Sequence, residues 1–385
     1  MAIIGAGPAG LTLANLLQRS GVDCVVLERR RRSYIEHRQR AGVLEHRAVR
    51  MLEEWGLGDQ VLAGVPVDGL LEFRIDGVPR HLDVPALAGG RHSRLMPQQV
   101  LVQRLIMAFE TGGGDLRTEA EGVALHGLDE DRPVVRYHDA AGMGRELACD
   151  YVAGCDGFRG LSRRSVPEGA LTTYAYDHGV GWVTVLADTP APRRPLLAVS
   201  EHGFAAHFPR GPHASRYYLE CTPGETPAAW PDDRIWKQLR LRLGDDDLPV
   251  GSVTATSMVE MRSYVVDPMS YGRLFLVGDA AHVITPMGGK GMNLALSDAE
   301  TLAMVLRAAV RDGDCSALRT YSTTCLRRTW DYQDFSRWMM EMVHDAGDAS
   351  RHGPFRRELA RARLARLFES AAAATAFAVL RAGVD

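Results

Sequence analysis

The chain has no run of eighteen apolar residues and no basic-apolar leader, so the expectation is a soluble protein rather than one with a helical membrane span. It also lacks any CxxC pair. Its six cysteines stand alone at 24, 149, 155, 221, 315 and 325. Several lie in apolar runs such as VDCVVL, which fits reduced, buried thiols and argues against a zinc site. Charge of one sign is absent too: 45 Lys and Arg face 48 Asp and Glu, a net charge of -3, so electrostatics make no case for nucleic acid as a partner. There is no internal repeat. Low complexity is confined to ERRRR (28–32) and the tail SAAAATAFAVL (370–380), which reads as helix, while TPAPRRP (189–195) reads as an extended connection. What is present is 385 residues, 46% of them hydrophobic, enough for one large unit or two or three packed domains. The expectation is a soluble, cytoplasmic, metal-free protein.

The chain opens MAIIGAGPAGLTLANLLQRSGVDCVVLERR. Ala2 to Ile4 reads as a strand, Leu11 to Arg19 as an amphipathic helix, and Val22 to Leu27 as a second strand ending in Glu28. Gly5, Gly7 and Gly10 form GxGxxG between strand and helix. Such glycines make a tight turn, let a pyrophosphate approach the backbone, and let the helix pack on the strand; the acidic residue can bind a ribose hydroxyl. The motif does not itself separate FAD from NAD. A first strand starting at Ala2 also leaves open that residues are missing before Met1.

Two later stretches repeat this logic. CDYVAGCDGFRGLSRRSV (149–166) carries an apolar strand into Asp156-Gly157, and LFLVGDAAHVITPMGGKGMNLA (274–295) carries one into Gly278-Asp279. Alone, Asp-Gly is an ordinary turn. An aspartate at a strand end can also accept from a ribityl or ribose hydroxyl. The glycine-rich segment after Pro286 starts a helix whose free N–H groups and dipole can stabilise negative charge.

Together and in this order, these motifs resemble the p-hydroxybenzoate hydroxylase family, flavoprotein aromatic hydroxylases of the glutathione-reductase-like FAD fold. The resemblance runs through RAGVLEH (40–46), CDYVAGCDGF (149–158), LADTP (186–190), SRYY (215–218), GRLFLVGDAAH (272–282), KGMNLALSD (290–298) and YSTTCLRRTW (321–330). It implies a mixed α/β chain. Residues 1–171 would hold FAD, with small inserted sheet elements at about 69–93; residues 172–266 would form an antiparallel substrate sheet; residues 267–385 would complete the FAD site and add a helical, dimer-forming region. It implies FAD contacts from Gly5, Gly7, Gly10, Glu28, Gln98, Asp156 and Asp279, with Pro286, Gly289, Gly291, Met292 and Asn293 along the flavin ring. Arg40 would be shared between FAD and NADPH phosphates. Arg29, Tyr34 and Arg38 would favour the 2′-phosphate of NADPH, Arg159 and Arg262 would add nucleotide contacts, and the bland alternative for 29–32 is a solvated charge run. Arg210 and Tyr218 would hold a benzoate carboxylate, a task suited to a planar guanidinium, and the Pro286 carbonyl would face the ring substituent. The implied chemistry joins NADPH, O2 and a small aromatic acid through a flavin C4a-hydroperoxide, in a homodimer.

The departures shape the substrate expectation. The family's two phenol-binding tyrosines fall at Leu197 or Ala198 and near Leu380. A serine beside the carboxylate arginine is Phe208, the outer histidine of the proton path is Asp68, and His207 and His213 are new neighbours. An apolar site disfavours a phenolate. Either His207 replaces the relay or the substrate needs none, and the second option is favoured: an amino-hydroxybenzoate such as 3-amino-4-hydroxybenzoate. The alternatives are 4-hydroxybenzoate 3-hydroxylation, an FAD-dependent reductase or dehydrogenase on the same fold, and a non-catalytic flavin-binding sensor.

Overall fold

The computed structural model describes residues 1–38, 42–211, 213–344 and 353–383. The chain divides into two units. The first comprises Met1–Pro66, Arg94–Tyr176 and Ser263–Asp334; the second comprises Val67–Ser93, Asp177–Arg262 and Phe335–Asp385. Among the described residues no helix is long and apolar enough to cross a membrane, and no cluster of His, Cys, Asp and Glu could hold a metal.

The first unit is built on a six-stranded sheet in the order Ser270–Tyr271, Leu274–Leu276, Val152–Gly154, Ala2–Ile4, Val25–Glu28 and Asp115–Thr118. All pairings are parallel except that of the Ser270–Tyr271 edge. A parallel sheet is covered on both faces, so its strands are short, continuous apolar runs rather than alternating ones. That is why AII, VVLE and LFL were legible as buried strands. The Pro8–Arg19 helix packs on Lys290–Arg311 and Gln98–Thr111.

The second unit carries a sheet in which Thr172–Ala187, Ala214–Cys221, Gly203–Gly211 and Leu196–Ser200 are successive neighbours, followed by Leu70–Ile75 and Val78–Asp83. The pairings are antiparallel apart from Leu196–Ser200 with Leu70–Ile75, which is parallel. The inserted elements near 69–93, expected with the N-terminal domain, therefore extend this second sheet. Alternation in LLEFRI buries Leu71 and Phe73 on one face, and Phe73 meets Phe368 and Phe377 of the last two helices edge-on at 5.6 and 6.2 Å. The Asp232–Leu243 helix covers the other face. Its Ile235, Trp236 and Leu239 pack with Val183, Val185, Leu196, Ala198, Ala205, Tyr217 and Leu219.

Candidate functional site

The GxGxxG turn has the stereochemistry its sequence demands. Gly5 has φ +106°, and a Cβ there would lie 2.5 Å from the Cys155 carbonyl oxygen. A Cβ on Gly10 would overlap the Gly5 carbonyl oxygen, so the helix sits directly on the turn. Gly7 has open space around it and caps the Pro8–Arg19 helix without a side-chain hydrogen bond. The first N–H groups of that helix are thus left for an anion. Glu28 is buried and accepts from the Ala6 and Arg30 amides, both at 2.8 Å. These bonds fix its carboxylate beside the turn, and each oxygen keeps acceptor capacity for a ribose hydroxyl.

The two aspartates stand at the ends of adjacent strands of the same sheet. One Asp156 oxygen accepts from the Ser162 amide (2.9 Å) and hydroxyl (3.0 Å). The other is buried and has no hydrogen-bond partner among the described residues. Burial raises its pKa against the opposing Ser162 bonds. A buried carboxylate oxygen of this kind calls for a hydroxyl donor. Asp279 is half-buried in the single 3-10 turn Gly278–Ala280. Gly288 and Gly289 follow at φ +83° and +70°, and Gly289 caps the Lys290–Arg311 helix with no side-chain bond. Pro286 is exposed, Gly291 is half-buried, Met292 is buried, and Gln98 opens its own helix half-exposed. Asn293 spends its amide on structure: it donates to the Val43 and Gly289 carbonyls at 3.0 and 3.1 Å and accepts from the Glu45 amide at 2.9 Å. Glycines that admit a ligand, two open helix starts and an unsatisfied buried acceptor all fit a flavin dinucleotide.

The cations of 29–32 separate into two kinds. Arg31 pairs with Glu119 at 3.0 Å, and Arg32 pairs with Glu36 and Glu110 at 2.7 and 2.6 Å. Arg30 lies over the Tyr34 ring at 5.2 Å. Arg29 is exposed and makes no ion pair with any described residue. Arg38 and Arg159 are exposed, and Arg262, in the second unit, pairs with Glu260 at 2.5 Å. Arg40 lies outside the described residues.

Register places the residues of the second unit that the sequence offers for substrate. Thr184 faces Tyr218, Tyr218 faces Ala206, Ala206 faces Leu197, and Leu197 faces Phe73, so these five form one row across five strands. The next row on the same face holds Leu186, Arg216 and Phe208, and the row on the other side holds Trp182, Glu220 and Phe204. Phe208 meets Tyr218 edge-on at 5.8 Å. Arg210 sits at the bulge between Pro209 and Gly211. Burial and the like charge of Arg216 lower its pKa to about 10, opposed by the Tyr218 hydroxyl beside it.

The FAD binding domain family matches residues 1–336. The p-hydroxybenzoate hydroxylase of Acinetobacter baylyi is 37% identical over 89% of this chain and 86% of its own length. The chain belongs to the p-hydroxybenzoate hydroxylase family of FAD-dependent aromatic monooxygenases. The 3-amino-4-hydroxybenzoate 2-monooxygenase of Streptomyces cremeus is 30% identical over 89% of this chain and 87% of its own length. The crystal structure of p-nitrophenol 4-monooxygenase from Pseudomonas putida has the same fold, with a TM-score of 0.84, 20% identity, and 99% and 97% of the two chains covered.

For this monooxygenase the structure also corrects and extends the sequence reading. His207, weighed as a substrate contact and relay, lies on the opposite face from Tyr218. It stacks on Tyr217 at 4.2 Å and bonds Ser215 at 2.9 Å. Ser215 donates its own proton to the Pro190 carbonyl, so His207 Nε2 is the donor. Burial, then Arg74, holds its pKa down to about 4. Of the two positions offered for the first tyrosine, Leu197 shares the Tyr218 face and Ala198 belongs to the helix-covered core. Leu380 lies half-buried in the last helix, His213 is exposed, and Asp68 pairs loosely with Arg381 at 3.7 Å. Sequence reasoning passed over two buried charge clusters. Lys290 meets Glu45 at 2.8 Å while Tyr332 donates to the same carboxylate at 2.7 Å, and His282 meets Asp298 at 2.6 Å. The available signal was a lysine and a glutamate inside two of the matching stretches, RAGVLEH and KGMNLALSD.

Proposed function

We propose that this monooxygenase uses FAD and NADPH to hydroxylate a benzoate bearing both an amino and a hydroxyl group, represented by 3-amino-4-hydroxybenzoate. In this reading the first unit holds FAD through the Gly5–Gly10 turn, Glu28, Asp156, Asp279 and the 286–293 backbone, and the second unit binds the acid. FAD, when bound, takes reducing equivalents from the nicotinamide nucleotide and uses O2 to place one oxygen atom on the ring. The chain's own residues bind and orient the acid. Arg210 neutralises the carboxylate, which offsets its burial beside Arg216, and Tyr218 donates to the same group. Leu197 and Phe208 offer the ring apolar contact.

The observation that carries the substrate assignment is the row Thr184, Tyr218, Ala206, Leu197 and Phe73: of the two positions expected for the family's phenol-binding tyrosine, Leu197 is the one that shares the Tyr218 face, and it is apolar. His207 faces away and is no substitute. A ring that an amino group already activates needs no phenolate. The likeness to the Streptomyces cremeus enzyme supports this reading. The higher identity to the Acinetobacter relative favours the second reading, 3-hydroxylation of 4-hydroxybenzoate. NADPH over NADH rests on Arg29 and Tyr34.

Paired turnover of the two acids with each nucleotide tests all of this, with hydroxylated product counted against nucleotide consumed. Well-coupled turnover of the aminated acid, poor turnover of 4-hydroxybenzoate and faster rates with NADPH are expected. Efficient, coupled hydroxylation of 4-hydroxybenzoate with the aminated acid inert overturns the substrate assignment. Equal use of both nucleotides overturns the NADPH preference.

A further inference from the structure

Thr184 lies in the middle of the strand Thr172–Ala187, between the core residues Val183 and Val185. Its side chain shares the sheet face with Tyr218, its direct cross-strand neighbour. Direct neighbours on one face bring their Cβ atoms to about 5 Å. The Thr184 hydroxyl is buried and has no hydrogen-bond partner among the described residues. A valine fills the same volume in this strand, so packing does not demand the hydroxyl, and a buried polar group without a partner is costly to keep. Arg216, one row along on the neighbouring strand, is also buried. Its Nε has no hydrogen-bond partner among the described residues, and its guanidinium lies 5.8 Å from the Tyr218 ring. Two unsatisfied donors thus flank Tyr218, whose hydroxyl also lies beside Arg210.

A carboxylate has about four acceptor positions. The forked guanidinium of Arg210 can fill two and the Tyr218 hydroxyl a third. We infer that Thr184 is a further substrate-binding residue: its hydroxyl donates to the remaining position on the carboxylate of the bound aromatic acid. This rests on the reading that Arg210 and Tyr218 hold that carboxylate. It makes the site selective for an anionic oxygen at the sheet floor, over a neutral amide or ester of the same ring.

The test is equilibrium binding of 3-amino-4-hydroxybenzoate and its carboxamide to the flavin-loaded protein by calorimetry, in the wild type, Thr184→Val, Thr184→Ser and Arg210→Ala. The wild type is expected to prefer the acid. Thr184→Val should weaken the acid about tenfold, the size of one hydrogen bond to a charged group, and weaken the amide less. Thr184→Ser should restore most of the acid affinity, which a purely packing role would not predict. If the wild type binds acid and amide equally, the carboxylate site itself is wrong and this inference falls with it. If Arg210→Ala removes the acid preference while Thr184→Val binds the acid as the wild type does, Thr184 alone is excluded. A serine variant as weak as the valine variant also overturns the inference. Should Thr184→Val fail to load flavin, Thr184→Ala is read by the same criteria.

Discussion

The parallel sheet of the first unit and the two-faced sheet of the second keep their chemistry in different places. The central strands of the first are buried on both sides, so the apolar side chains along them are taken up by packing. The residues expected to contact FAD gather at strand ends, where Gly5, Glu28, Asp156 and Asp279 close or follow an apolar run. This is the usual place for a ligand in an open α/β sheet. The second sheet gives one face to the Asp232–Leu243 helix, while the other carries Arg216, Tyr218, Thr184 and Phe208. Here the face a side chain joins depends on which way its strand is turned, and one residue of slip exchanges the faces.

The contrast breaks first, and most severely, at the glycines. Gly10→Val drives its side chain into the Gly5 carbonyl and separates helix from strand. A colourless preparation is expected, with flavin content near zero by absorbance. Gly7→Ala meets no neighbour, so it should fold normally and still bind FAD more weakly, because the methyl group fills space the pyrophosphate needs. Stoichiometric FAD in Gly10→Val would remove the steric basis of the comparison.

A second, smaller effect concerns charge. The first unit buries Lys290 against Glu45 and Tyr332. Removing one partner of a buried pair costs about 3–5 kcal/mol. Lys290→Met should lower stability by that order in denaturant titration, and adding Glu45→Gln should recover part of it. No change in the single variant would show the pair to be energetically idle.

What was legible in the sequence follows from the same contrast. Strand, turn and helix of the FAD site are contiguous, so GAGPAG and GDAAH show both the element and its task in a few residues. The residues proposed to hold the acid lie on separate strands of the second sheet, and only the register decides which of them share a face. Arg210 and Tyr218 were singled out only because SRYY and the FPRG turn resemble a family pattern. Leu197 and Ala198 could not be told apart, since an alignment gap of one residue is also one flip of the pleat. His207 looked like a neighbour of Arg210 along the chain, yet the register turns it to the other face. Lys290 read as part of a glycine-rich loop because its partner, Glu45, sits on a distant segment. Thr184 carries no motif at all, and only the lack of a partner for its hydroxyl among the described residues marks it.

The mildest prediction turns on histidine. The first unit holds His282 against Asp298; burial opposes its charge, but Asp298 outweighs it and the pKa is raised. The second unit buries His207 with its pKa lowered to about 4 from 6.5, with no acid beside it. Unfolding returns each histidine to its ordinary value. Between pH 6.5 and about 4 the unfolded chain therefore takes a proton that folded His207 refuses, so stability drains as pH falls through that window. His282 acts oppositely: its contribution is complete below its unfolded pKa and is lost as pH rises through the folded one. The full His207 shift corresponds to at most about 3 kcal/mol, reached only near the bottom of the window. Hydrogen exchange followed from pH 7 to 5 should therefore show protection falling in the 203–221 strands before the 2–28 strands. His207→Asn, which keeps a side-chain amide to donate to Ser215, should flatten that loss. Equal acid sensitivity in the variant and the wild type would show that His207 is not the group whose neutrality the second sheet requires.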